Sequence, residues 1–259
     1  MKINPDFKKV ALLAVRRAGR MLKENFRKKI KIRMKVTKTK KVEWVTNIDI
    51  ACEETIRETI KNNFPDHNIL GEEKGGKIGK GFTWIIDPLD GTSNYILGLP
   101  FFSIALALLE KQNPILSIVF NPITNELYFA RKEKGAFLNQ KRIKVNKVNG
   151  LSRVLLSFNK GKDFIGSLKA LTKIAPHIRT IRFFGSDNLE ICQVAAGRFE
   201  GYFSSKPAYH DSIIGGFIAE EAGGKVTDFE GKKYTPNSTS VIITNGKIHN
   251  KILKLINKN

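Results

Sequence analysis

Cysteine is scarce in this chain: Cys52 and Cys192 are the only two among 259 residues. A disulfide framework would use more of them, so stability must come from a packed core. Both sit among apolar neighbours in helix-like stretches and are expected as buried free thiols. No apolar run reaches the ~20 residues that a membrane span needs. The Met1 end is polar and charged, with no apolar stretch leading to a cleavage site. These absences set the expectation of a cytoplasmic protein. No zinc-finger spacing, aromatic–basic RNA-recognition motif, internal repeat or low-complexity linker is present. Acidic residues are also short, 24 against 45 basic ones, for a formal net charge of +21.

That surplus leaves two readings open. Nucleic acid is a candidate partner, because basic residues are dense over Lys23–Lys41. A solvated, Lys-rich surface that draws in an anionic phosphate ester makes a weaker demand. With 259 residues, 41% of them apolar, the chain can bury a sizeable core as one large domain or two sharing an interface.

Periodicity predicts an amphipathic helix over Asp6–Phe26, with Phe7, Val10, Leu13, Ala14, Arg17 and Met21 on one face. Lys28–Lys41 alternates apolar and basic residues, which suits an exposed strand, an ordered arm or a loop. A second helix is expected over Asn47–Phe64, then strands at Asn68–Leu70 and Phe82–Ile86 around a Gly/Lys-rich loop. Four strands between Ser103 and Leu138 suggest an antiparallel sheet. After Gly150, strands and helices alternate, as in an α/β unit, and a helix is expected over Ser212–Glu221. The division is an N-terminal α+β half, 1–149, and a C-terminal α/β half, 150–259. His67, His177 and His249 fall in loop-like or polar contexts.

Trp84-Ile85-Ile86-Asp87-Pro88-Leu89-Asp90-Gly91-Thr92 carries the chemistry. A strand ending in Asp87 sets one carboxylate at a sheet rim, and Asp90 returns a second to the same mouth. Gly91 permits close backbone approach, and Thr92 can open a short helix. Clustered carboxylates suit Mg²⁺, which takes oxygen ligands. On spacing alone a surface turn explains the same residues equally well.

The wider pattern resembles the inositol monophosphatase family. The resemblance runs through Val45-Thr46-Asn47-Ile48-Asp49, Gly71-Glu72-Glu73, the Trp84–Tyr95 segment, Lys134-Gly135-Ala136-Phe137-Leu138-Asn139, Val194-Ala195-Ala196-Gly197-Arg198, and His210-Asp211 with Glu221-Ala222-Gly223-Gly224. It implies a layered αβαβα sandwich, α+β to α/β in class, with the site between the halves. It also implies phosphate-monoester hydrolysis with two or three Mg²⁺ ions. Glu72, Asp87 and the Leu89 carbonyl would hold one metal. Asp87, Asp90 and Asp211 would hold another. Glu72 and Thr92 would activate water, with Asp49 supporting the cluster. Gly91 and Thr92 would hold phosphate oxygens. Glu73, on an extended segment, would point away. By analogy the partners are a small phosphorylated substrate and a second copy in a homodimer.

The substrate side departs from the inositol pattern. His210 stands where the family usually has Trp, and either contacts substrate or fills that position by packing. Ser204 stands where inositol-specific members carry an acid. Asp187 either supplies that acid or caps a helix. Lys206 and Arg198 either read a second phosphate or are solvated charges. Asp90, Asp187, Ser204, Lys206 and His210 are therefore the candidate substrate contacts. An inositol-1-phosphate-type phosphatase is the leading expectation. Fructose-1,6-bisphosphatase and 3′-phosphoadenosine nucleotide phosphatase are enzyme alternatives, and a basic RNA-binding or transcription-associated protein is the alternative of another class.

Overall fold

The computed structural model describes residues 5–36 and 42–258. Helix α1 (Pro5–Asn25) leads to strands β1 (Ile32–Val36) and β2 (Val42–Thr46), which pair antiparallel, and then to helix α2 (Asn47–Asn63). Next come β3 (Asn68–Gly71), β4 (Gly75–Gly76), β5 (Phe82–Asp90) and the short helix α3 (Thr92–Ile96). Strands β6 (Ser103–Glu110), β7 (Asn113–Asn121), β8 (Glu126–Arg131), β9 (Gly135–Leu138) and β10 (Lys141–Ile143) follow. Beyond Gly150 the order is β11 (Leu155–Asn159), α4 (Phe164–Ile174), β12 (Thr180–Arg182), α5 (Asp187–Ala195), β13 (Gly201–Ser205), α6 (Tyr209–Glu221), β14 (Lys225–Thr227), β15 (Ser240–Thr244) and α7 (His249–Ile256).

Among the described residues β3 to β10 form one sheet in the order β10-β9-β8-β7-β6-β5-β3-β4. It is antiparallel except where β3 runs parallel to β5. The second sheet, β12-β11-β13-β15-β14, is mixed. Helices α1 and α2 cover one face of the first sheet, and α5 and α6 lie between the sheets. Helices α4 and α7 close the far face of the second. These are the five layers of the expected αβαβα sandwich.

Both faces of the first sheet are covered, so its central strands read as continuous apolar runs. Alternate residues go to opposite cores. Trp84 and Ile86 face the α1/α2 side with Ile104, Leu106 and Leu108. Ile85, Ala105, Ala107 and Leu109 face the middle core, which also holds Leu189, Val194, Tyr202, Ile218 and Ile243. A third core, under α4 and α7, takes Leu156, Phe158, Phe203 and Ile242. Among the described residues no helix is long and apolar enough to cross a membrane.

Three expectations change. The buried stripe of α1 is Phe7, Ala11, Ala14, Ala18 and Leu22, while Leu13 is half exposed and Arg17 is exposed. Leu13 lies about 200° round the helix from Ala11, so the small residues face the sheet. The Lys28–Lys41 arm contains strand β1, and its residues 37–41 lie outside the described residues. His249 is fully buried rather than loop-like. Cys52 and Cys192 are buried free thiols, as expected.

Candidate active site

Strand β5 does not stop at Asp87. It continues through Pro88 to Asp90, with a register shift against β6 between these two carboxylates. Pro88 cannot donate to the ladder, so a break in pairing accommodates it. The irregularity leaves Asp87 and Asp90 buried at the rim of one cleft. Asp90 Oδ2 accepts three hydrogen bonds: Ser186 Oγ at 2.7 Å, Ser103 Oγ at 2.9 Å and Leu189 N at 3.1 Å. Leu189 belongs to the first turn of α5, whose unpaired amides favour a carboxylate there. Gly91 turns the chain at φ +93°, and a Cβ on it would sit 3.1 Å from Ser186 Cβ and 3.2 Å from the Phe101 carbonyl. Only glycine meets both conditions.

Thr92 Oγ1 lies 3.0 Å from Asp49 Oδ1 and 3.0 Å from the Leu89 carbonyl. Its single proton serves one acceptor at a time. Asp49 is buried at the third position of α2, and its Oδ2 accepts from the Thr46 amide at 2.9 Å and from the Thr46 hydroxyl. That reciprocal cap holds Asp49 inside at the start of α2. Burial outweighs the hydrogen bonds from Thr46 and Thr92 and pushes the Asp49 carboxyl up to about 6.

Glu72 follows β3 and donates its amide to the Ile86 carbonyl at 3.2 Å. The turn after it is tied down from α2. Glu53, fully buried, accepts from Glu73 N at 2.7 Å and Lys74 N at 3.1 Å, and pairs with Arg57 at 2.7 Å. Residues 72–74 form a turn, so strand alternation does not govern Glu73, which lines the cleft beside Glu72.

The second half contributes Asp187 and Asp211. Helix α6 begins at Tyr209, three residues before the expected Ser212, so Asp211 sits inside the first turn rather than ahead of it. Its Oδ2 still accepts from the Ala208 amide at 3.1 Å. Asp187 opens α5 without capping it, and its Oδ1 accepts from the Tyr202 hydroxyl. Asn188 donates to Asp87 Oδ2 at 3.3 Å and accepts from Gly215 N at 2.9 Å, tying α5 and α6 to β5. His210 Nε2 stands 3.1 Å from Asp211 Oδ1 and 3.7 Å from Glu72 Oε1.

Burial, reinforced by Glu72 and Asp90, holds the Asp87 carboxyl well above the usual carboxylate range. Burial also lifts Asp90 to about 6 against its hydrogen bonds, and burial with Asp211 and Asp90 raises Asp187. Burial disfavours a charged His210, but Asp211 and Glu72 outweigh it and raise that imidazole well above 6.5. Carboxylates crowded in this way call for a counter-charge. Asp87 Oδ1 is buried and takes no hydrogen bond. Among the described residues no three His, Cys, Asp or Glu side chains are already gathered to hold a metal. The donor set still fits a hard divalent cation: it is all oxygen, it carries surplus negative charge, and one buried oxygen has no partner.

Glu72, Asp87, Leu89, Asp90, Gly91, Thr92, Asp187 and Asp211 line one cleft of about 470 Å³. Asp49 reaches it through Thr92, and His210 through Glu72 and Asp211. Ser204 and Lys206 do not line it. Arg198 is spent on Glu126, Tyr128 and Gln193. Ser103, Ser186, Asn188 and Glu53 brace the site without any sequence signal, because isolated polar residues carry no period. Trp44 and Lys160 line the cleft and were equally unmarked.

A model of the inositol monophosphatase family matches residues 4–259. The Nus factor SuhB of Pasteurella multocida is 34% identical over 253 residues, 95% of this chain and 94% of that protein. The fructose-1,6-bisphosphatase/inositol-1-monophosphatase of Thermotoga maritima is 38% identical over 218 residues, 83% and 82% of the two chains. Among solved structures, a Thermotoga maritima IMPase matches with a TM-score of 0.89 at 34% identity, covering 98% of this chain and 97% of that one.

Proposed function

The chain belongs to the inositol monophosphatase family, and from that premise we propose that it is a Mg²⁺-dependent phosphatase acting on a phosphate monoester of a small polyol or sugar. The observation that carries this reading is the buried, unbonded Asp87 Oδ1 inside a cluster of mutually repelling carboxylates. Glu72, Asp87, the Leu89 carbonyl, Asp90 and Asp211 are the residues that would hold the cations. When bound, Mg²⁺ supplies positive charge for the attacking and leaving oxygens of phosphoryl transfer. The chain does the positioning. Asp49 orients the Thr92 hydroxyl, and Thr92 with Glu72 orients the attacking water. The amides of Gly91 and Thr92 donate to phosphate oxygens. Ser103, Ser186 and Leu189 pin Asp90 through one oxygen, and Asn188 steadies Asp87. Asp187 lines the cleft beside these ligands, and His210 stands against Asp211 and Glu72.

Asp87→Asn or Asp90→Asn should cut Mg²⁺-dependent phosphate release by roughly a thousandfold or more, as loss of a principal charge-stabilising group does. Wild-type turnover in either variant rejects the assignment. Assays side by side on inositol 1-phosphate, fructose 1,6-bisphosphate and adenosine 3′,5′-bisphosphate separate the enzyme alternatives.

The charge of +21 supports a second reading, RNA binding. Lys8, Lys9, Arg16, Arg20 and Lys23 are exposed on α1, and Lys28, Lys29, Lys31 and Arg33 continue the basic run. Relatives named Nus factor SuhB support the same reading. Binding that weakens steeply with salt and survives Asp87→Asn would establish it, whereas no binding at low salt ends it.

A further inference from the structure

We propose that the chain carries a second ligand site beside the first turn of α6, for a flat heteroaromatic ring that bears a carboxylate. The site is a cavity of about 910 Å³, nearly twice the volume of the cleft, and the two share no lining residue. Asp211 lines the cleft, and the next residue, Ser212, lines the cavity.

Ile213 and Phe217 of α6 and Val226 of β14 give the cavity its apolar part. Tyr209 and Tyr234 line it as a stacked pair, with ring centroids 6.3 Å apart and planes at 22°. Burial raises both phenols, Tyr209 to about 12, so both stay neutral. Such a pair offers a flat surface for a further ring. Ser212 Oγ is fully buried and takes no hydrogen bond, and the Tyr234 hydroxyl approaches it without closing one. Buried hydroxyls are rarely left in this state. One that lines a cavity of ligand size is placed for a polar atom on the edge of an incoming ring.

The carboxylate is called for by lysines from three separate loops. Lys111 and Lys132 stand on the turns after β6 and β8, and Lys233 on the loop between β14 and β15. All three are exposed, and among the described residues none is in an ion pair. The backbone holds the first two in place: Lys111 N donates to the Gly81 carbonyl at 3.3 Å and Lys132 N to the Ile115 carbonyl at 3.0 Å. Three acids line the cavity as well. Glu221 is committed to the amides of Glu133 and Gly135, at 2.9 and 2.8 Å. Glu220 lies in the field of Lys233. That leaves Lys111 and Lys132 against Glu133, on a chain with a formal net charge of +21, so the potential draws an anion. With Glu133 and Glu220 in the same wall, a singly charged carboxylate suits these lysines better than a doubly charged phosphate.

Three probes separate these contacts by titration calorimetry on the full chain. Indole-3-acetate has the ring, the N–H and the carboxylate; indole-3-acetamide lacks the charge, and 1-naphthaleneacetate lacks the N–H. Wild type should bind indole-3-acetate about tenfold more tightly than the amide, the scale of a charged hydrogen bond, and about fivefold more tightly than the naphthalene acid. Lys111→Met with Lys132→Met should erase the first ratio. Ser212→Ala should erase the second without lowering the urea midpoint, because the hydroxyl it removes has no partner to lose. Lys160→Met, which removes a cation of the cleft, should leave both ratios as in wild type. No binding of indole-3-acetate at millimolar concentration, equal affinities across the probes, or ratios that follow Lys160 rather than Lys111, Lys132 and Ser212 overturn the proposal.

Discussion

His249 sits between two hydroxyls, with Thr227 Oγ1 2.9 Å from Nε2 and Thr244 Oγ1 3.0 Å from Nδ1. Burial, helped by Lys225, lowers its pKa to about 4. In the unfolded chain it titrates near 6.5, so between these values the unfolded state binds the extra proton. Its contribution to stability is complete above pH 6.5 and is lost as pH falls towards 4, by about 3 kcal/mol at most. Glu190 runs the other way. Burial raises it to about 8, so its contribution is present below 4.5 and is lost as pH rises through 8. The two oppose each other between pH 4.5 and 6.5. Urea midpoints of His249→Gln should therefore fall less steeply than those of wild type as pH drops from 6.5 to 4. At this scale the sequence was legible where a motif spoke. Glu72, Asp87, Asp90, Thr92 and Asp211 were identified by resemblance and line the cleft together. Ser103, Ser186 and Asn188 were not, because their importance comes from what folds beside them.

At the scale of the element, the turn after β3 depends on α2. Gly71 is small because a Cβ there would run into the Glu53 carboxylate and the Arg57 guanidinium. Gly71→Ala should push Glu53 off the amides of Glu73 and Lys74. Glu53→Gln loses the charge facing Arg57 directly. Either change should cost about 2–3 kcal/mol in a urea melt, the usual range for breaking a buried charged hydrogen bond. Either should also raise the Mg²⁺ concentration that half-saturates phosphate release, because the displaced turn carries Glu72. An unchanged half-saturation alongside lower stability would leave Glu53 as a core contact only. Element boundaries were less legible than element types. Strand β5 passes through Pro88, where a proline usually signals an end, because the register shift absorbs it. Helix α6 starts after Pro207-Ala208 without a polar cap, so Asp211 resembled the start when it already lay within the first turn.

For the whole molecule, the central strands and the α1 helix were readable from their periods. The middle layer was less so, because α5 and α6 are buried against a sheet on either side and show no polar face to mark their orientation. The outer surface carries a further expectation, a homodimer. Leu97, Leu99 and Phe183 are 65%, 49% and 52% exposed. They flank the seam where Asn94 Nδ2 donates to the carbonyls of Phe101 and Phe184 at 2.7 and 2.6 Å. β12, ending beside Phe183, is an edge strand of the second sheet. Wild type should elute at twice the chain mass in size-exclusion chromatography with light scattering, and Leu97→Asp with Phe183→Asp should shift it to one. A wild-type monomer at micromolar concentration rejects the dimer.

The placement of α5 and α6 between the two sheets also bears on amide hydrogen exchange. Asp187 and Asp211 stand at the first turns of these helices, and Asp90 is bonded to the first turn of α5. Core elements open with free energies near the global one, so the buried amides of α5 and α6 should be among the slowest to exchange. The second-half carboxylates therefore ride on the slowest-opening layer. The first half reaches the same cleft partly through the exposed β1–β2 pair. Adjustment to different substrates should therefore fall to the exposed β1–β2 side of the cleft, where Trp44 stands, rather than to the buried β5, α5 and α6.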